Sequence, residues 1–208
     1  MRNKFDEQLD QLNKELITMG ALCEDAISCA VKCLMENNTE MAEECIRADS
    51  QIDQKESDIE TLCMKLLLRQ QPVARDLKTI SSALKMISDM ERVGDQAADI
   101  VEIAPFIADS GIDKKTHIAE MARETVRMLT DSIESFVKKD ADLAHKTILH
   151  DDIVDGLFDR IKKEIISTIV KGGGDAEALI DLLMVAKYFE RIGDHAENIA
   201  EWVIYSIQ

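Results

Sequence analysis

Two acidic motifs carry the chemistry that this chain could do. Glu190-Arg-Ile-Gly-Asp194-His-Ala-Glu-Asn198-Ile-Ala-Glu201 repeats Glu91-Arg-Val-Gly-Asp95-Gln-Ala-Ala-Asp99-Ile-Val-Glu102 at an offset of 99 positions. Seven of the thirteen positions from 90 to 102 are identical in 189 to 201. Two quieter acid pairs, Asp49 with Asp53 and Asp151 with Asp155, repeat at an offset of 102. Acids four apart are neighbours on a helix surface, and like charges there cost a few tenths of a kcal/mol. Clustered oxygen donors are what hard or borderline cations need, among them Mg²⁺, Mn²⁺, Ca²⁺, Fe and Zn²⁺. The chemistry on offer is metal binding. A solvated acidic face is the plain alternative, and the duplication weighs against it.

The elements that must position these acids are helices. Apolar residues recur at three- and four-residue spacing almost throughout. Ala, Leu, Ile, Met, Glu, Lys and Asp dominate, aromatics are 4%, and there are two prolines. That mixture favours helix over sheet. Asn37-Asn38 ends a first helix, and Thr39 can cap the next. Gln70-Gln71-Pro72 ends the second, because proline removes an amide donor. The third is expected from near Asp76 to Ile103, with a linker from Pro105 to Asp113. A fourth reaches Lys138, and a fifth runs from Ala141 to Val170 and ends at Lys171-Gly-Gly-Gly174. Asp175 caps a sixth that runs to the C-terminus. At about 25 to 32 residues each, these helices must bury a continuous stripe to be stable. The expected fold is all-α: two tandem antiparallel three-helix bundles over residues 1–104 and 114–208.

A helical wheel turns the acids outward. Phe189, Ile192, Ala196, Ile199 and Val203 share the inner face of the last helix, and Glu190, Asp194, Asn198 and Glu201 lie roughly opposite. Met90, Val93, Ala97 and Ile100 stand against Glu91, Asp95, Asp99 and Glu102 in the same way. Residues equidistant from a hairpin turn lie level. Asp53 and Glu91 are each nineteen positions from Pro72, and Asp49 and Asp95 are each twenty-three from it. Asp155 with Glu190, and Asp151 with Asp194, are symmetric about Gly172-Gly173. Each half should bring two acid rungs side by side. Gly94 and Gly193, inside helices at about 1 kcal/mol each relative to Ala, suggest a close approach by a neighbour. Arg92 and Arg191 could screen the acids or make ordinary surface pairs.

A net charge of −16 argues against nucleic-acid and anionic-membrane partners, and favours cations and basic protein surfaces. No apolar run approaches a membrane span, and the polar start has no signal core, so the expected location is the cytoplasm. Cysteines at 23, 29, 33, 45 and 63 lack zinc-site spacing, although Cys29 and Cys33 are one helical turn apart. They are expected to be reduced and to pack as small hydrophobes. The Glu-x-x-His spacing of redox di-iron bundles is absent. His195 points away from Asp194 and is expected at the surface, and His117, His145 and His150 form no constellation. Lys171-Gly-Gly-Gly174 is a helix end, not a phosphate loop.

The repeated Glu-Arg-aliphatic-Gly-Asp segments, the turn Arg69-Gln-Gln-Pro-Val-Ala-Arg-Asp-Leu77 and the opening Phe5-Asp-Glu-Gln-Leu resemble the PhoU family over essentially the whole chain. The resemblance implies two tandem three-helix bundles and a non-enzymatic regulator of phosphate uptake and phosphate-starvation signalling. It implies a negative adaptor between the ATPase subunit of the phosphate ABC transporter and a sensor histidine kinase, and a homodimer. It implies metal ions, with Fe, Zn, Mn or Mg as candidates. Carried over by position, the ligands are Asp49, Asp53, Glu91 and Asp95, and then Asp151, Asp155, Glu190 and Asp194. Asp99 and Asn198 are further candidates, and their difference in charge would make the two sites unequal. The alternatives are a carboxylate-bridged metalloenzyme, hydrolase or oxidase, and a metal-free helical scaffold.

Overall fold

The computed structural model describes residues 2–36, 42–69, 73–107 and 117–208. Six helices follow one another: α1 (Arg2–Glu36), α2 (Ala42–Arg69), α3 (Ala74–Ile107), α4 (His117–Lys138), α5 (Ala141–Val170) and α6 (Ala176–Ile207). They form two tandem three-helix bundles, α1–α3 and α4–α6. The expected breaks at Asn37-Asn38 and Gln70-Gln71-Pro72, the Thr39 cap and most of the 105–113 linker lie outside the described residues.

Side-chain contacts set each hairpin's direction. Lys55 pairs with Glu15 at 2.9 Å, while Cys29 meets Cys45, so α1 and α2 run antiparallel. Ser88 Oγ donates to Glu56 Oε1 at 3.1 Å across α2 and α3. His117 Nε2 lies 3.1 Å from Glu164, and His150 Nε2 lies 2.6 Å from Glu124, which joins α4 to α5. These histidines tie helices together instead of forming a site.

Helix ends are built by local chemistry. The α4–α5 turn passes through Lys139 at φ 55°, and Asp140 Oδ1 then accepts from the Leu143 amide at 3.0 Å. Gly172 and Gly174 take φ 68° and 74°, a left-handed conformation that favours glycine. Asp175 Oδ1 caps α6 through the Glu177 amide at 3.1 Å.

Helix α3 departs from expectation at both ends. Asp76 Oδ2 accepts from the Val73 amide at 3.3 Å, which lets the helix begin at Ala74. Pro105 lies inside the last turn instead of opening a linker. A proline there forfeits one backbone bond, and fully buried Ile107 anchors the turn beyond it. The lengths range from 22 to 35 residues, wider than expected.

One continuous apolar core runs through both bundles, from Phe5 to Val203. The third helix of each bundle, α3 and α6, share the broadest interface. They run antiparallel. Lys78 Nζ sits over Tyr205, Lys85 Nζ over Trp202, and Asp89 faces Asn198. The acid motifs therefore sit on the two helices that join the halves.

Candidate metal centres

Each acidic motif lies on a helix that packs against the preceding one, in the register that the turn symmetry requires. In the first half, Gly94 on α3 faces α2. A Cβ at Gly94 would stand 3.0 Å from Asp49 Oδ1 and 2.9 Å from Ile52 Cδ1. In the second half, a Cβ at Gly193 would stand 3.0 Å from Asp151 Oδ1 and 3.2 Å from Val154 Cγ1. The two notches are equivalent. Glycine is present because an acid and an aliphatic side chain from the neighbouring helix fill the space.

Asp49 Oδ1 and Asp151 Oδ1 are both buried without a hydrogen-bond partner. An orphaned buried oxygen in a native fold needs an explanation. Here each one is surrounded by more acids. Burial raises the Asp49 pKa, and Asp53, Asp95 and Asp99 add to it. Burial, with Glu197, Asp155, Asp194 and Glu190, pushes Asp151 from 3.8 up to about 7. Glu91, Asp155 and Asp194 are also raised, mainly by burial and then by neighbouring acids. Asp53 and Asp155 are the exposed members of their rungs. A cation against the orphaned oxygens would satisfy them and offset the repulsion. The donor set fits a hard or borderline metal ion held by oxygen. No three of the stripe's described acids each bring an oxygen within 4.8 Å of the others.

Basic partners are few. Arg92 pairs with Asp95 at 2.9 Å and with Glu91 at 3.4 Å, as screening would require. Lys187 takes that role for Glu190. Arg191 instead lowers the pKa of Asp99 on the other bundle, against the raising effects of burial, Glu102 and Asp95.

The stripe is not straight. Four residues advance a helix by 400°, so Asn198 lies about 80° round from Glu190. Its Nδ2 donates to Asp89 Oδ1 at 3.4 Å across the α3–α6 interface. His195 Nδ1 lies 3.0 Å from the same oxygen, with His195 18% and Asp89 16% exposed. The expected surface histidine is an interface histidine. Asp99 reaches toward the same interface, near Tyr188 and Arg191, while its charge still acts on Asp49. Glu197, seven positions after Glu190, stays on the α5 side, and the charges of Asp194 and Asp155 help raise its pKa after burial and Glu201. It was not among the expected ligands, although its spacing from Glu190 marks it. Its counterpart at the 99-residue offset is Ala98. The inequality of the halves therefore includes this position, not only Asp99 against Asn198.

The PhoU domain family matches residues 16–104 and 118–203, one stretch in each half. The chain belongs to the PhoU family. Similar PhoU relatives include the phosphate-specific transport system accessory protein PhoU homologue of Clostridium acetobutylicum, 34% identical over 99% of this chain and 95% of that protein. The Aquifex aeolicus homologue of the same description is 36% identical over 90% of this chain and 86% of that protein. The crystal structure of PhoU from Pseudomonas aeruginosa superposes with a TM-score of 0.88 at 30% identity, covering 98% of both chains. That of the phosphate transport system regulatory protein PhoU from Streptococcus pneumoniae gives 0.90 at 28%, covering 97% and 96%. The six-helix double bundle is thus the PhoU fold, and the PhoU relatives are described as accessory proteins, none by an enzymatic activity.

The cysteines depart from expectation. Cys29 and Cys45 form a disulfide between α1 and α2. Cys33 Sγ lies 3.5 Å from Cys45 Sγ. The reduced state was expected from the lack of zinc-site spacing and the cytoplasmic setting, neither of which could show that the hairpin brings Cys45 level with Cys29. Among the described residues, these are the only three metal-ligating side chains whose ligand atoms all lie within 4.8 Å of one another. Cys23 and Cys63 are buried separately in the core, and burial pushes both thiols up. Among the described residues, no helix is long and apolar enough to cross a membrane.

Proposed function

We propose that this chain is a non-enzymatic, cytoplasmic regulator of phosphate uptake and phosphate-starvation signalling. It acts as a negative adaptor between the ATPase subunit of a phosphate ABC transporter and a sensor histidine kinase, and works as a homodimer. Residues 1–104 and 114–208 are its two repeat units. The observation that carries the reading is membership of the PhoU family along both halves, with relatives described as accessory to phosphate-specific transport.

Within that role, Asp49, Asp53, Glu91 and Asp95 hold metal in the first half. Asp151, Asp155, Glu190 and Asp194 do so in the second, with Glu197 beside them. The two orphaned aspartate oxygens support this assignment. Metal would bridge α2 to α3 and α5 to α6 across repelling acids, stiffening the surface that meets the partners. The net charge of −16 favours basic patches on those partners.

The test has two arms. Replacing Glu91, Asp95, Glu190 and Asp194 together by Ala should abolish bound Mn²⁺, read by elemental analysis of protein refolded with Mn²⁺ as an oxygen-preferring probe. Deleting the chain from a phosphate-replete cell should switch the starvation response on. Unchanged metal content would remove the site assignment. A silent response in the deletion strain would remove the regulatory role.

A further inference from the structure

The three-sulfur cluster includes none of the acids and is not used by the role above. Cys29 and Cys33 occupy successive turns of α1, and Cys45 faces them from the first turns of α2. Cys33 and Cys45 are only 4% and 3% exposed, and Cys29 is half-buried. Cys23 and Cys63 show how cysteine packs here when it is only a small hydrophobe. Each sits by itself in the core, the first donating to the Met90 carbonyl at 3.4 Å. Cys29, Cys33 and Cys45 converge instead.

Convergence of three sulfurs exceeds what a cross-link needs. A disulfide uses two, and the third lies 3.5 Å from one of them. Three thiolates bound to one zinc at about 2.3 Å stand roughly 3.8 Å apart in a tetrahedral arrangement. Cys33 and Cys45, 3.5 Å apart, already have nearly that separation, and Cys29 and Cys45 must part. Sulfur favours thiophilic d¹⁰ cations such as Zn²⁺, whereas carboxylate rungs favour harder ions such as Mn²⁺ and Mg²⁺.

We propose that the reduced chain binds a thiophilic cation such as Zn²⁺ through Cys29, Cys33 and Cys45, and that the Cys29–Cys45 disulfide is the metal-free, oxidised form of that site. A dithiol reductant opens the disulfide, giving two protons and two electrons and leaving as its own disulfide. The three thiols then lose three protons to the medium as the cation binds. In the reverse step an oxidising small-molecule disulfide accepts two electrons, Cys29 and Cys45 rejoin, and Cys33 regains a proton as the cation departs. The two electrons with two protons turn the incoming disulfide into thiols, so three protons are consumed in all. The fourth coordination position is left open, as in three-ligand zinc sites. The assignment rests on the sulfurs alone and stands whether or not the acid rungs hold metal.

The test uses the full chain, reduced without oxygen and cleared of metal, with circular dichroism confirming the helices. Co²⁺ is added first as the spectroscopic probe and then displaced by Zn²⁺. The expected result is a thiolate-to-cobalt charge-transfer band that saturates at one equivalent and is quenched by Zn²⁺. The band disappears on oxidation by a small disulfide and returns on reduction. It persists when Glu91, Asp95, Glu190 and Asp194 are all Ala, which separates it from the carboxylate sites. Cys33→Ala should weaken Zn²⁺ binding by more than about 10-fold. Absence of the band in reduced, helical wild-type protein overturns the proposal, and so does a band unchanged by Cys33→Ala.

Discussion

Asp151 rests against the backbone of Gly193: a Cβ added to that glycine would sit 3.0 Å from Asp151 Oδ1. Asp49 and Gly94 repeat the relationship at the same distance in the other half. In both places the oxygen is buried and unpaired. The glycine that weakens the helix is what lets the acid reach the groove between helices.

Alanine at Gly193 should therefore behave unlike alanine at an open glycine. Gly156 lies exposed in α5 with nothing within 4 Å of an added Cβ. Gly156→Ala should stabilise the chain by about 0.5–1 kcal/mol in urea denaturation. Gly193→Ala should show none of that gain, because Asp151 and Val154 must give way, and should lose metal by elemental analysis. Equal stabilisation with metal retained would contradict the notch.

Without metal, stability should fall as pH rises. Asp151 titrates at 3.8 when ordinary and at about 7 in the fold, so between those values the folded state holds its proton more tightly. The resulting stabilisation is complete below about pH 4 and lost by about pH 7 to 8. Asp49, Glu91, Asp99, Asp155, Asp194 and Glu197 are raised as well and act in the same direction. Chelated protein should melt a few degrees lower at pH 8 than at pH 5. Adding Mn²⁺ at pH 8 should reverse the loss. Asp151→Asn should flatten the pH dependence. A chelated protein equally stable at both pH values would rule out the raised acids.

The second half should bind metal more tightly than the first: Glu197 is the strongest charge acting on Asp151, whereas Asp99, the extra acid of the first half, acts more weakly on Asp49 than Asp53 or Asp95 does. Glu197→Ala should weaken the tighter class of sites by about 10-fold in calorimetric titration. Ala98→Glu should strengthen the weaker class by a similar factor. If neither change moves an affinity, Glu197 lies outside the site.

Asp89 joins the bundles through His195 and Asn198. Asp89→Ala should cost about 1–2 kcal/mol of stability. Metal content should be unchanged, because Asp89 is on the opposite side of α6 from Asp151. Metal loss in this variant would mean that the interface and the acid rungs form one unit.

The fold was legible because helices announce themselves locally. Apolar spacing, Asp140 and Asp175 as caps and the glycines at 172–174 each act within a few residues of chain. Duplication made the halves legible, and turn symmetry made the acid register legible, since a tight antiparallel hairpin leaves little freedom in which residues lie level. Ser88 opposite Glu56 and Lys187 over Phe158 follow that register. The end of α3 was less legible, because Pro105 argues locally for a break while Ile107 is held by burial in the assembled core.

The amino-acid sequence alone determined the helical class, the repeat, the family and the pairing of acids across each hairpin. Tertiary structure decided what depends on the third direction around a helix. A straight stripe of every fourth residue drifts by 40° per step. Packing of α3 on α6 took Asn198 and His195 for the interface and left Glu197 with the acids. Only the assembled hairpin set Cys45 against Cys29 and Cys33. No spacing along a single helix carries that information, because the contact belongs to two helices.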